Sequence, residues 1–226
     1  MSLDKEILED IIDTCVKLVE NDLAYSFQGV CCEELSGGIS RICWPNHISG
    51  TLNTSSYFNN LEQYKNILRN NAYFCMLYDG SIIRASYSLK RNKLIAQNLL
   101  YWPAPFNLNL QNINFEFGGP LEILEDIMLS EDWHQCMIMR SPIRIDFDQE
   151  NCSDEHPLIH LHIQDKDCRI AVNKPLCFNS FVRFIFENHY NQIYKKEKLF
   201  RHLLHKNLNF DMGKMEHSLS LLFKYK

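Results

Sequence analysis

The fold of this chain is constrained most by a run of alternating residues that follows the pair Asp79-Gly80. Asp-Gly is the pair that a type I′ hairpin turn prefers, and successive side chains of a strand point to opposite faces. A second turn near residues 90–92 leads into a strand over residues 93–102, which ends at the prolines of WPAP because proline cannot extend a central strand. The pattern predicts an antiparallel meander. Its middle strand places Ile83, Ala85, Tyr87 and Leu89 on one face and Arg84, Ser86 and Ser88 on the other.

Helical periodicity is found on both sides of this meander, which predicts an α+β fold with N- and C-terminal helices flanking an antiparallel sheet. The predicted helices cover residues 3–23, 56–69, 120–130 and 179–205. The chain, residues 1–226, is interpreted as a single α+β domain with a basic C-terminal helical region at residues 195–226.

Charge and cysteine usage limit the classes of function. The net charge is -5, and residues 195–226 carry eight bases against three acids while residues 1–22 carry seven acids against two bases. The basic end is therefore interpreted as a solvated helix face or as the complement of the acidic N-terminal helix. The nine cysteines form no C-x-x-C pair, and no signal peptide or membrane span is visible. They are predicted to be reduced, mostly buried thiols, including Cys168 and Cys177, in a cytoplasmic protein.

The stretch MRSPIRIDFDQENCSDEHPLIHLHIQ, residues 139–164, holds the candidate site. Both of its predicted strands have one apolar and one titratable face, and a slip of one residue would turn charges toward the core. If the strands pair directly, Arg144, Asp146 and Asp148 must share a face with His160 and His162. His156 lies on the same face of its strand, and Arg140 and Arg169 are placed at the rim. This face is expected to lie at the surface, opposite Ile145 and Ile159, so that losing one of its side chains costs about 0.5–1.5 kcal/mol.

Three interpretations of this titratable face remain open. The first is structural, with arginines paired to aspartates on a solvated sheet. The second is a zinc or manganese site built from His-x-His and a neighbouring aspartate, because both imidazoles project to one side. The third is metal-free catalysis or binding on phosphate, with histidine as acid or base and arginine as anion clamp. The sequence specifies no particular metal or cofactor.

Four segments, LYDGSIIRASYSLKRNKLIAQNLLYWPAP, MRSPIRIDFD, HPLIHLHI and CRIAVNKPLCFNSFVRFIFENHY, occur in this order. Together they resemble the bacterial family designated domain of unknown function 2290, over about residues 73–190. Ala171 and Phe178 stand where that family often has proline. The resemblance implies a place beside helicase genes in anti-phage defence systems. Residues 140–164 are also similar to a small toxin family of toxin–antitoxin modules.

These observations lead to one functional hypothesis and one alternative. The hypothesis is an accessory or effector protein of a helicase-linked defence system that acts on nucleic acid, with a co-encoded helicase or another protein as partner. In it Arg144 holds a phosphate, His160 and His162 serve as acid and base, and Asp146 orients one imidazole. Arg140, Asp148, His156 and Arg169 complete the substrate contacts. The alternative is a non-catalytic module that uses the same face to dock a larger protein.

Overall fold

The computed structural model describes residues 2–45, 47, 60–106, 119–153, 156–165 and 167–211. The strands among them belong to one antiparallel sheet, and helices lie toward both ends of the chain, so the predicted α+β class is confirmed. The strands are β1 (Ala24–Phe27), β2 (Cys31–Leu35), β3 (Ile39–Cys43), β4 (Cys75–Leu77), β5 (Ile82–Lys90), β6 (Lys93–Trp102), β7 (Ile143–Asp148), β8 (Ile159–Ile163) and β9 (Ile170–Ala171). The helices are α1 (Leu3–Glu20), α2 (Leu61–Arg69), α3 (Pro120–Leu129), α4 (Phe178–His189), α5 (Asn191–Lys196) and α6 (Leu199–His202), and a short 3-10 helix spans Trp133–Cys136.

The sheet runs in the order β1-β4-β5-β6-β7-β8-β9. Outside this order, β3 pairs with β5 on one side and with β2 on the other. One face of the sheet is apolar, and Tyr87, Leu99 and Ile145 on that face have no exposed surface. Helix α1 contacts β1 and β3, α4 contacts β6, and the two helices contact each other. The helices thus leave the opposite, polar face of β5–β8 to form the candidate site.

The two hairpin turns differ from each other in type. A type I′ turn needs positive φ at both central residues, and at the first turn Gly80 has φ +84° while Asp79 does not share that conformation. Leu77 instead pairs its N–H with the Ser81 carbonyl across a three-residue loop, so the predicted turn type at Asp79-Gly80 is wrong. The second turn has φ +51° at Arg91 and +62° at Asn92, which is the type I′ pattern.

The prediction of a helical region over residues 195–226 is wrong for its middle part. Helices continue only through α5 and α6, and residues 203–211 form an extended segment that bridges to Leu94. The rest of that region, and the first residues of the helix predicted at 56–69, lie outside the described residues. Lys206 pairs with Asp10 of α1, which confirms for this residue that the basic end complements the acidic helix.

The type I′ turn also gathers both ends of the described chain. The side-chain Oδ1 of Asn92 accepts a hydrogen bond from the Leu3 N–H at 2.6 Å. The backbone carbonyl of Asn92 accepts one from Asn209 Nδ2 at 3.2 Å. Leu94 N–H donates to the Asn209 carbonyl at 2.7 Å. The start of α1 and the extended C-terminal segment are therefore both fixed to the β5–β6 hairpin.

The cysteines are less buried than predicted. Cys15, Cys43, Cys75 and Cys177 are buried, Cys31 and Cys168 are half-buried, and Cys32, Cys136 and Cys152 are exposed. All are free thiols, as expected. Among the described residues, no helix combines the length and the apolar character needed to cross a bilayer.

Candidate functional site

The titratable residues of β7 and β8 pair in the predicted way. Arg144 lies opposite His162, and Asp146 lies opposite His160. On the other side of β7, Asp146 faces Asn98 of β6, and Arg144 faces Leu100. The argument from parity is thereby confirmed, since burial of Ile145 and Leu161 on the apolar face fixes which side chains share the polar face.

The predicted surface exposure of this face is wrong. Arg144 is only 4% exposed, and His160 and His162 are each 1% exposed. The Asp146 side chain is 16% exposed. The four groups line a pocket instead of a solvated sheet, so truncating one of them removes a buried partner from the others.

Asp146 is the centre of the cluster. Its Oδ1 accepts a hydrogen bond from Asn98 Nδ2 at 2.6 Å, and its Oδ2 accepts one from Arg144 Nε at 2.8 Å. Burial alone would raise the pKa of Asp146, but the contact with His162 and the charge of Arg144 outweigh burial and hold the pKa below its usual value. Asp146 is therefore ionised at neutral pH and balances the buried guanidinium.

His160 is held in a single tautomer. Its Nδ1 lies 2.6 Å from the Pro157 carbonyl oxygen, and because a carbonyl only accepts, Nδ1 must carry the proton. Burial lowers the pKa of His160 to about 4, against the opposing charge of Asp146, so the ring is neutral at pH 7. Its Nε2 then presents a lone pair 3.3 Å from His156 Nε2 and 3.7 Å from Asp146 Oδ2.

The metal interpretation has support from the positions of three donor atoms. Ligand atoms of Asp146, His160 and His162 lie within 4.8 Å of one another, and Asp146 Oδ2 is 3.2 Å from His162 Nε2. Arg144 opposes it, because its Nη2 lies 2.8 Å from the same His162 Nε2 while its Nε donates to the same Asp146 oxygen. The guanidinium already supplies the positive charge at these donors, which favours metal-free chemistry.

We call the opening above these side chains the His/Asp pocket. It has a volume of about 410 Å³. It is lined by Ser86, Ser88, Ala96, Gln97, Asn98, Arg144, Asp146, Phe147, Asp148, Glu150, Asn151, His156, His160, His162 and Arg169. Seven of the eight predicted site residues are in this set, so the structure brings them together.

The members at the rim have different roles. Asp148 Oδ1 accepts hydrogen bonds from the backbone N–H groups of both Glu150 and Asn151, so this carboxylate shapes the loop after β7. The Arg169 side chain is 33% exposed, and among the described acidic residues it pairs with Asp167 at 4.0 Å. It is the more exposed of the two arginines that line the pocket, since the Arg144 side chain is 5% exposed.

Arg140 is the predicted residue that the structure does not bring to the pocket. Its Nη1 donates to Asp79 Oδ2 at 2.9 Å, and its Nη2 donates to the Ala104 carbonyl at 2.8 Å. Tyr190 donates to the same Asp79 oxygen at 3.0 Å. Arg140 thus belongs to a separate polar cluster that fixes the chain before β7 to the first hairpin turn.

Two contributors were missed by sequence reasoning. Asn98 holds the second oxygen of Asp146, and Arg84 stacks on Trp44 with its Cζ 4.4 Å from the ring centroid. Burial, followed by the charge of Arg144, lowers the pKa of Arg84 to about 9, which leaves it charged at neutral pH. The alternation of β5 predicts that Arg84 lies on the polar face. The sequence does not show that Arg84 and Arg144 lie on either side of Leu100 of β6, which pairs with both residues.

The fold and the pocket define an α+β protein with a buried cluster of imidazole, carboxylate and guanidinium groups on one face of an antiparallel sheet. Comparison with family models matches residues 23–222 to the uncharacterized conserved proteins designated DUF2290, and the chain belongs to this family. The match extends beyond residues 73–190 on both sides. No curated protein and no solved structure shows a significant match to the chain.

Proposed function

We propose that this protein acts on nucleic acid at the His/Asp pocket, as an accessory or effector component of a bacterial helicase-linked anti-phage defence system. The observation that carries the proposal is the state of His160. The imidazole is neutral, its Nδ1–H is bonded to Pro157, and its Nε2 lone pair lies among the pocket groups, which is the form that a general base requires. Its pKa of about 4 makes it a weak base in the absence of substrate.

The contacts divide the proposed roles among the neighbours. Arg144 is buried and bonded to Asp146 and His162, so it positions these two groups and does not reach a phosphate. The phosphate contact passes to Arg169 at the rim, where a guanidinium can approach an anion without leaving a buried partner unpaired. The half-buried His156, whose Nε2 is 3.3 Å from that of His160, is the group from which a leaving oxygen can receive a proton, because His162 Nε2 is already in contact with Arg144 and Asp146.

A non-catalytic docking module remains the second candidate, and exposed apolar side chains favour it. Leu129 at the end of α3 is 84% exposed, and Met139 before β7 is 97% exposed. Apolar surface of this kind often marks a protein interaction site. In that case the cluster around Asp146 serves to hold β6, β7 and β8 in register beside the contact surface.

The decisive experiment measures cleavage by the purified protein and protection of cells by the same variants. Labelled single-stranded RNA, single-stranded DNA and duplex DNA are incubated with the wild type and with His160→Asn, whose amide retains the donor to Pro157 but removes Nε2. His134→Asn is the matched control, since His134 is exposed and outside the pocket.

The proposal expects cleavage by the wild type in the presence of EDTA, and loss of both cleavage and protection in His160→Asn while that variant stays folded. The proposal would be refuted if the wild type and His160→Asn cleaved nucleic acid equally or protected cells equally. Protection lost together with binding of a co-encoded helicase, without cleavage by the wild type, would establish the docking module instead.

A further inference from the structure

A second cluster of metal-ligand side chains lies on the β2–β3 hairpin, on the same face of the sheet as the His/Asp pocket but outside its lining. Cys31 pairs with Cys43 across the hairpin and Glu33 pairs with Arg41, so these four side chains share one face. The chain then turns after β3, with His47 N–H donating to the Trp44 carbonyl at 3.2 Å. This turn returns His47 to Glu33 and Cys43, and the ligand atoms of these three residues lie within 4.8 Å of one another.

The surroundings of His47 and Cys43 point to a ligand. Cys43 has no exposed surface. The Nδ1 of His47 is buried and has no hydrogen-bond partner among the described residues. A buried ring nitrogen is rarely left unsatisfied, and a nitrogen of this ring lies within 4.8 Å of a thiol sulfur and a carboxylate oxygen.

The donor types select the chemical class of that ligand. Sulfur, imidazole nitrogen and carboxylate oxygen are together the donors of zinc sites, for which four-coordinate geometry is usual. Arg41 Nη2 bonds one Glu33 oxygen at 2.8 Å, and the guanidinium also contacts the Cys43 thiol, so a cation takes the other Glu33 oxygen and replaces Arg41 at Cys43. Arg144 differs, because it contacts the imidazole nitrogen of His162 as well as the carboxylate of Asp146. Cys31 lies directly across from Cys43, and its thiol has to move toward the other three donors to complete four-coordination.

We propose that Glu33, Cys43 and His47 bind a zinc-type divalent cation, with Cys31 as the fourth donor. Binding converts the Cys43 thiol into a metal thiolate and releases its proton to solvent. The cation ties both strands of the hairpin to the chain that follows β3. This site does not rest on the proposed function, because none of its four donors is among the described residues that line the His/Asp pocket.

Cobalt(II) titration of the reduced, full-length protein tests the proposal, since cobalt bound to a thiolate gives a near-ultraviolet charge-transfer band that zinc removes on displacement. The wild type should develop this band. Cys43→Ser should lack it. Cys32→Ser should keep it, because Cys32 is exposed on the opposite face of the same strand. His160→Asn should keep it as well, which separates this site from the His/Asp pocket.

His47→Gln gives a second measurement that does not depend on the folding of a variant at buried Cys43. It should weaken cobalt binding by at least about 10–100-fold, the loss that follows even from removing an outer partner of a ligand. Absence of the band in folded wild type at excess cobalt would overturn the proposal. Unchanged affinity in His47→Gln, or a band that depends on Cys32, would overturn it equally.

Discussion

The neutral state of His160 should make the stability of the fold depend on pH in a way that one substitution removes. The pKa of His160 falls from 6.5 in the unfolded chain to about 4 in the fold. Between these two pKa values the unfolded chain binds a proton at His160 that the folded protein does not bind. The contribution of neutral His160 to the free energy of unfolding is therefore fully present above about pH 6.5 and declines as the pH falls toward 4. Since a difference of one pKa unit is worth about 1.4 kcal/mol, the full loss is about 3 kcal/mol.

Urea denaturation at about pH 7.5 and about pH 4.5 measures this loss. The wild type should lose about 2–3 kcal/mol more than His160→Asn between the two conditions, because the asparagine amide can donate to Pro157 at either pH and does not titrate. The lowered pKa of Asp146 contributes to the pH dependence of both proteins. His134→Asn, at an exposed position, should behave as the wild type does.

An equal loss of stability in the wild type and in His160→Asn would refute the reasoning. It would mean that the imidazole is protonated in the folded protein or that its Nδ1–H is not fixed by Pro157. The role of His160 as a proton acceptor would then lose its physical basis, whatever the activity assays show.

Further expectations concern the neighbours of His160. Asp146→Asn should cost about 3–5 kcal/mol in denaturation experiments near neutral pH, because it leaves buried Arg144 without its counter-charge; a cost below 1 kcal/mol would contradict the buried pair. The difference from the wild type should narrow below about pH 4, where the lowered pKa of Asp146 no longer stabilises the fold. Ile145→Ala should cost a comparable amount, about 2–5 kcal/mol, through lost packing alone. Arg169→Ala should leave the melting temperature unchanged, weaken binding of nucleic acid, and reduce the slope of log affinity against log salt by about 1; an unchanged slope would remove Arg169 from the phosphate contact.

The arrangement of the candidate site could be predicted where strand parity decides it. Ile145 and Leu161 must face the core, and this requirement alone places Asp146 opposite His160. The same logic failed for burial, since a polar residue on the second face of a sheet is exposed only if nothing else covers it. Trp44 lies over Arg84, and no local pattern around either residue announces that contact.

Contacts between distant parts of the chain account for the other errors. Arg140 was placed at the rim because it precedes β7, but its partner Asp79 lies 61 residues earlier in the sequence. The Asp79 side chain also accepts hydrogen bonds from the Tyr190 hydroxyl and from the Ser81 N–H. The general preference of Asp-Gly pairs for type I′ turns does not take such contacts of the carboxylate into account. Local preference therefore identified the hairpin but not its geometry.

The hydrogen bonds at Asn92 have a consequence for the order in which the protein can be completed during synthesis. Every strand of the described sheet has left the ribosome once Ala171 has emerged, yet the segment that contains Asn209 arrives later. Until then α1 lacks the ion pair from Lys206, and the end of the β5–β6 hairpin lacks its partner at Leu94. A nascent chain that has emerged past Ala171 but not to Asn209 therefore carries every strand of the described sheet while the end of the β5–β6 hairpin is still uncovered, and this intermediate is the species in which aggregation has to be avoided.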